Sequence, residues 1–212
     1  MPRAVNTFKA FLFNAVLLCM LFAFSAQGAP EKIVLVFGDS LSAAYGISQP
    51  RGWVALLAAR LKRERPDYIV VNASISGETT SGGAARIAAV LQKHRPAVVV
   101  VELGANDGLR GLSVEQMRQN LGKIVEHSRK AGARVLILGM KMPPNYGPAY
   151  SQQFEGAFES VSKKYQSKLE AFFLEDFADQ PEFFLPDRIH PAENAQPLIL
   201  DRVWKTLRPL LK

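Results

Sequence analysis

Val98-Val99-Val100-Val101 is an unbroken β-branched run set between two stretches of helical periodicity. Such a run fits a strand buried on both faces of a parallel sheet, where side chains on either side meet covering helices. Similar runs at residues 32–37, 68–73 and 134–139 are expected to pair with it, taking the third strand as 97–103, and a fifth strand is expected near 171–174. Between them, Trp53, Leu56, Leu57 and Leu61 recur at helical spacing within 52–65, as do Ile87, Val90 and Leu91 within 80–94. Ser113-Val114-Glu115-Gln116 has the form of a capping box opening a helix that runs to about Lys130, where Gly132 stops it. Helical patterns over 152–166 and 193–211 complete an alternation of strand and helix, the signature of βαβ units in an α/β fold.

The first residues are expected to lie outside this fold. Arg3 and Lys9 form a basic start, residues 16–24 are wholly apolar, and Ala26-Gln27-Gly28 is a small-x-small cleavage site, so residues 1–28 have the pattern of a secretory signal peptide. Residues 10–30 are also about long enough to span a bilayer as an uncleaved anchor, against which stand Asn14 and the processing site. Cleavage before Ala29 leaves a single domain, residues 29–212, in the periplasm or outside the cell, with no integral membrane segment. It also removes Cys19, the one cysteine, so the remaining chain has neither disulfide nor thiolate metal ligand and relies on packing. The formal net charge of +7 loses Arg3 and Lys9 with that segment. The excess that remains is scattered over helices without interleaved aromatics, which argues against a nucleic-acid partner.

Ligands of open parallel sheets bind beyond the carboxyl ends of the strands. Gly38-Asp39-Ser40-Leu41-Ser42 follows the first strand, Ser76-Gly77-Glu78 the second, and Gly104-Ala105-Asn106-Asp107 the third, while Asp187-Arg188-Ile189-His190-Pro191 precedes the last helix. Between them these segments hold what acyl transfer needs: a nucleophile, a base, an acid to orient the base, and donors for an oxyanion. Of the three histidines, His94 and His127 sit in charged helical settings, and only His190 lies in a loop with an acid three positions earlier. Taken singly, Ser40 also fits a helix cap, Gly77 a turn glycine, Asn106 a turn cap, and His190 a structural histidine. Asp39, Asp107 and Glu102 read as acids that fix loops beside the site.

The whole set resembles the SGNH (GDSL-type) hydrolases, and closely their bacterial periplasmic branch of acyl-CoA thioesterases, lysophospholipases and arylesterases. The likeness is carried by the segment with Ser40, by Val71-Asn72-Ala73-Ser74-Ile75-Ser76-Gly77-Glu78-Thr79, by residues 101–111 around Asn106, by Pro144-Asn145-Tyr146-Gly147 and by Asp187 to Pro191. The resemblance implies a three-layer α/β/α flavodoxin-like sandwich with a five-stranded parallel sheet. It implies Ser40 as nucleophile, His190 as base, Asp187 as acid, and an oxyanion hole formed by Ser40, Gly77 and Asn106. Hydrolysis would need no cofactor and no metal, and the substrate would be a small acyl ester, thioester or lysophospholipid. Leu41, Leu109, Met142, Pro143 and Tyr146 are candidates to line an acyl or aryl groove. Ala105 and Gly82-Gly83 depart mildly from the family pattern and bear on substrate preference. Two other readings stand beside this one. Gly38-Asp39, Asn106-Asp107 and His190 superficially suit a metal-dependent phosphoesterase, although few His and Asp ligands are available. A secreted non-catalytic binding module on a flavodoxin-like scaffold is the other, since fold alone does not fix function.

Overall fold

Apolar β-branched segments gain most when both faces of their sheet are covered, and the fold is built around that requirement. The computed structural model describes residues 31–212; the expected signal peptide lies outside the described residues. Five strands, β1 (Lys32–Gly38), β2 (Tyr68–Asn72), β3 (Val98–Glu102), β4 (Arg134–Leu138) and β5 (Lys168–Glu170), form one parallel sheet in the order β2-β1-β3-β4-β5. This is the flavodoxin-like strand order, with the reversal of direction falling between β1 and β3. Val98 to Val101 sit in the middle strand with no solvent exposure, in register with Val34 to Phe37 on one side and Arg134 to Ile137 on the other. Each such side chain withdrawn from water contributes about 1.5–3 kcal/mol.

Helices α1 (Trp53–Glu64), α2 (Thr80–His94), α3 (Ala105–Leu109), α4 (Val114–Lys130), α5 (Pro148–Tyr165) and α6 (Gln196–Leu207) join the strands. One layer consists of α1 against α6; the other sets α4 between α2 and α5. The expected helix stop is present, with Ser113 accepting from the Gln116 N–H at 3.3 Å at the start of α4 and Gly132 at φ 86° after its end. Helix α5 begins four residues before the expected Gln152, because Pro148 occupies its first turn, where the missing N–H and fixed φ cost nothing.

Two further differences bear on the site. The fifth strand is not at 171–174 but at Lys168–Glu170, a three-residue edge strand whose exposed Lys168 and half-buried Leu169 and Glu170 conceal it. The apolar residues Phe172, Phe173 and Leu174 instead turn off the sheet edge into the core. The turn is tight: a methyl group on Gly139 would fall inside van der Waals contact with the Ala171 carbonyl oxygen, which belongs to the backbone and cannot swing aside. Gly139→Ala is expected to cost about 1–3 kcal/mol, read as a lower urea midpoint at unchanged slope. The second difference is α3, a short helix not anticipated from the sequence, which opens at Gly104 in a left-handed conformation, φ 122°. A side chain there would press on Phe158 and Met117.

Candidate active site

The loop after β1 turns as soon as it leaves the sheet. Residues 40–46 form successive turns, with the Ala43 N–H on the Asp39 carbonyl at 2.9 Å and Ala44 at φ 61°. Helix α1 starts only at Trp53, so Ser40 caps no helix. Its Oγ lies 2.9 Å from Nε2 of His190, whose Nδ1 lies 2.7 Å from Oδ2 of Asp187.

The acid and the imidazole come from one clipped hairpin. Phe184 and Pro191 form an antiparallel bridge, the Leu185 N–H donates to the His190 carbonyl at 2.8 Å, and the Ala192 N–H to the Phe183 carbonyl at 2.7 Å. Phe183 and Phe184 anchor this stem on the buried ring of Phe177, at centroid distances of 5.6 and 5.5 Å. At the tip, Arg188 takes a left-handed conformation, φ 58°, and Oδ1 of Asp187 accepts from the N–H groups of Ile189 and His190 at 2.9 and 3.0 Å. Partial burial pushes the Asp187 carboxyl up, but those two N–H groups and the imidazole outweigh it and hold it at about 2. Asp187 is therefore ionised at neutral pH and fixes Nδ1 as the protonated nitrogen, leaving Nε2 as the acceptor for the serine hydroxyl. Buried Gln196 ties this hairpin to α1, donating to the Pro191 carbonyl at 3.1 Å and accepting from the Trp53 N–H at 3.0 Å.

The other two loops approach from β2 and β3. The Ile75 N–H donates to the Gly38 carbonyl at 3.0 Å, drawing the loop of Gly77 toward the end of β1, and Gly77 takes φ 80°. Among the described residues, neither the Gly77 N–H nor the Ser40 N–H has a protein acceptor. Asn106, the second residue of α3, donates through its amide nitrogen to Oδ2 of Asp39 and to the Glu78 carbonyl, both at 3.0 Å. Asp107 clamps the same helix to the start of α2 by accepting from the Thr80 N–H at 2.8 Å and the Thr80 hydroxyl at 2.6 Å.

A cleft of about 580 Å³ opens over Ser40, Asn106 and His190, a volume typical of small-molecule sites, roughly 300–1,000 Å³. Leu41, Leu109, Met142 and Pro143 line it. Tyr146 is not among its walls: its hydroxyl donates to the Leu109 carbonyl at 2.9 Å, and its ring stacks on Tyr150 at 6.1 Å. Residues that sequence reasoning missed complete the surroundings. Phe172, Leu174 and Phe184 supply apolar wall, and Tyr45 lays its ring 4.5 Å from the His190 ring. The apolar run at 171–174 is the sequence signal for this wall, since Phe172 and Leu174 both face the cleft. Of the remaining histidines, His127 is exposed on α4 and His94 half-buried at the end of α2. Among the described residues no cluster of three His, Cys, Asp or Glu side chains is placed to hold a metal ion, and no helix is long and apolar enough to cross a membrane.

Comparison with known proteins places most of the chain among esterases and thioesterases in sequence and fold. The chain is 48% identical over 193 residues to Esterase TesA of Pseudomonas aeruginosa, covering 91% of this chain and 96% of that one. It is 40% identical over 185 residues to Thioesterase 1/protease 1/lysophospholipase L1 of Escherichia coli K12, covering 87% and 88%. Among solved structures, a phosphonate-inhibited psychrotrophic esterase EstA from Pseudoalteromonas sp. superposes with a TM-score of 0.81 at 41% identity, covering 85% of this chain and 99% of that one. The GDSL-like Lipase/Acylhydrolase family matches residues 36–196, and with that match spanning most of the described fold, the chain belongs to this family, the SGNH serine hydrolases.

Proposed function

We propose that the protein hydrolyses small carboxylic esters or thioesters, lysophospholipids included, through an acyl-enzyme on Ser40. The observation that carries this reading is the unbroken line of contacts from Ser40 Oγ through His190 to Asp187, at 2.9 and 2.7 Å. As Oγ attacks the acyl carbon, its proton passes to Nε2 of His190, and the imidazolium so formed is stabilised by the Asp187 carboxylate. The carbonyl oxygen becomes an oxyanion that draws on the N–H groups of Ser40 and Gly77 and on the Asn106 amide. Collapse breaks the bond to the leaving oxygen or sulfur, which departs as alcohol or thiol with the proton from His190. Water then attacks the acyl-enzyme by the same route, returning the proton to Ser40 and releasing the carboxylic acid. Leu41, Leu109, Met142 and Pro143 would receive the acyl or aryl group.

In the same reading residues 1–28 are a signal peptide, residues 29–212 are the mature single domain, and the protein works in the periplasm or outside the cell. Support comes from the basic and apolar pattern at the start of the sequence and from residues 32–212 forming one compact unit. A fluorophosphonate probe tests the chemistry directly. One adduct per chain is expected, mapped by mass spectrometry to the peptide holding Ser40, with ester turnover lost in step and unaffected by chelators. Labelling elsewhere, or none on a folded and active protein, refutes the assignment.

A further inference from the structure

Beside the nucleophile lies a pair of acids that the reaction above leaves unused. Asp39 and Glu102 are buried, at 0% and 2% exposure, on adjacent strand ends, since Glu102 closes β3 in register with Gly38. Oε2 of Glu102 accepts from the Asp39 N–H at 3.2 Å and from the Ser42 hydroxyl at 2.7 Å. Asp39 accepts from the Leu41 N–H at 3.1 Å on Oδ1 and from the Asn106 amide at 3.0 Å on Oδ2. The two buried carboxyl groups are thus tied to the same turn of backbone, close enough for each to act on the other's charge. Gly38 makes room for this: a methyl group there would stand 2.7 Å from Oε2 of Glu102.

Among the described residues no lysine or arginine forms an ion pair with either acid. Arg86 is committed to Glu78 and Arg110 to the Gly77 carbonyl, and His190, when protonated, acts on Asp39 as a cation. Two buried, neighbouring carboxyl groups without a cation resist ionising together, so the pair retains one proton near neutral pH. Burial, reinforced by the neighbouring charge of Asp39, lifts Glu102 well above the usual carboxylate range. Burial also lifts Asp39, but the Leu41 N–H, Glu102 and Asn106 oppose it and leave it at about 6. Both oxygens of Asp39 already accept from N–H groups, whereas among the described residues Oε1 of Glu102 accepts from none, an arrangement that favours the proton on Glu102 and the charge on Asp39.

We propose that Asp39 and Glu102 are positioning residues: neutral Glu102 donates to ionised Asp39, and the Asp39 carboxylate holds the Asn106 amide in place for the oxyanion. The inference rests on the acyl-enzyme reading of Ser40. A charge-assisted hydrogen bond orients an amide more firmly than a neutral one. A full negative charge this close would oppose an oxyanion, and the shared proton draws that charge back toward Glu102, away from the reacting carbon.

The test pairs two isosteric variants with one spectrum. Glu102→Gln keeps an oxygen for the Asp39 and Ser42 donors and an NH₂ toward Asp39, so kcat is expected to stay within about threefold of wild type. Asp39→Asn sets one amide NH₂ against another, or against the Glu102 proton. It is expected to lower kcat about 10²-fold with KM unchanged and the near-ultraviolet circular dichroism intact. Infrared spectra of protein with ¹³C-labelled glutamate should contain a protonated carboxyl band at neutral pH that Glu102→Gln removes. Wild type that resists the fluorophosphonate probe refutes the Ser40 reading itself. Labelled wild type with Asp39→Asn at full kcat overturns the positioning role, as does Glu102→Gln losing as much as Asp39→Asn. Absence of the protonated band overturns the shared proton and needs no variant to fold.

Discussion

Ser40→Ala is expected to lower kcat for p-nitrophenyl acetate by about 10⁴-fold or more, and His190→Ala by a similar factor. The hydroxyl is a weak nucleophile until a base 2.9 Å away removes its proton. Without the imidazole the oxygen remains; without the oxygen the imidazole has nothing to activate. The two therefore act as a unit, and the double variant should be scarcely slower than either single one. Residual turnover would come from the cleft and the oxyanion donors. Stopped-time assays on the three purified variants, each shown folded by circular dichroism, check this. A double variant whose loss equals the product of the single losses would separate the two residues mechanistically and break the triad reading.

Asn106→Ala carries the next largest expected effect, a fall of about 10²- to 10³-fold in kcat with little change in KM, because an oxyanion donor matters most in the transition state. The free protein already directs the Asn106 amide at two acceptors, Oδ2 of Asp39 and the Glu78 carbonyl. One must be given up when the oxyanion forms, and the neutral Glu78 carbonyl is the weaker holder. Asn106→Asp should be slower than Asn106→Ala, since a carboxylate there faces Asp39 and repels the developing charge. Steady-state kcat and KM for the two variants decide it: equal rates for both, or a loss confined to KM, would show that the amide serves substrate binding alone.

How much of this was legible in the chain differs by level. Strands β1, β3 and β4 were, because burial on both faces leaves continuous apolar runs such as Val98 to Val101, and the half-buried edge strand β2 still carries Ile69, Val70 and Val71 in succession. β5 was not, because an edge strand needs little apolar side chain and Lys-Leu-Glu pairs through its backbone alone, while Phe172 to Leu174 serve the core from a turn. The short helix α3 depends on a left-handed Gly104 that local propensity does not announce. At the site, Ser40, Asp187 and His190 could be singled out by residue type and spacing, and the structure brings all three into contact. The wall contributed by Phe184 and the ring that Tyr45 lays beside His190 could not, since which side chains of a loop face a site is a tertiary matter.

The clipped hairpin from Phe183 to Ala192 has a dynamic corollary. Asp187 and His190 ride on the same tip, locked to each other through side chain and backbone alike. Thermal wobble of that tip moves both together, so the joint it loosens is the one across to Ser40. An idle molecule would thus lapse by parting nucleophile from base while the base stays correctly aimed and tautomerically set. Recovery then needs only a small rigid swing back, with no reordering of the imidazole.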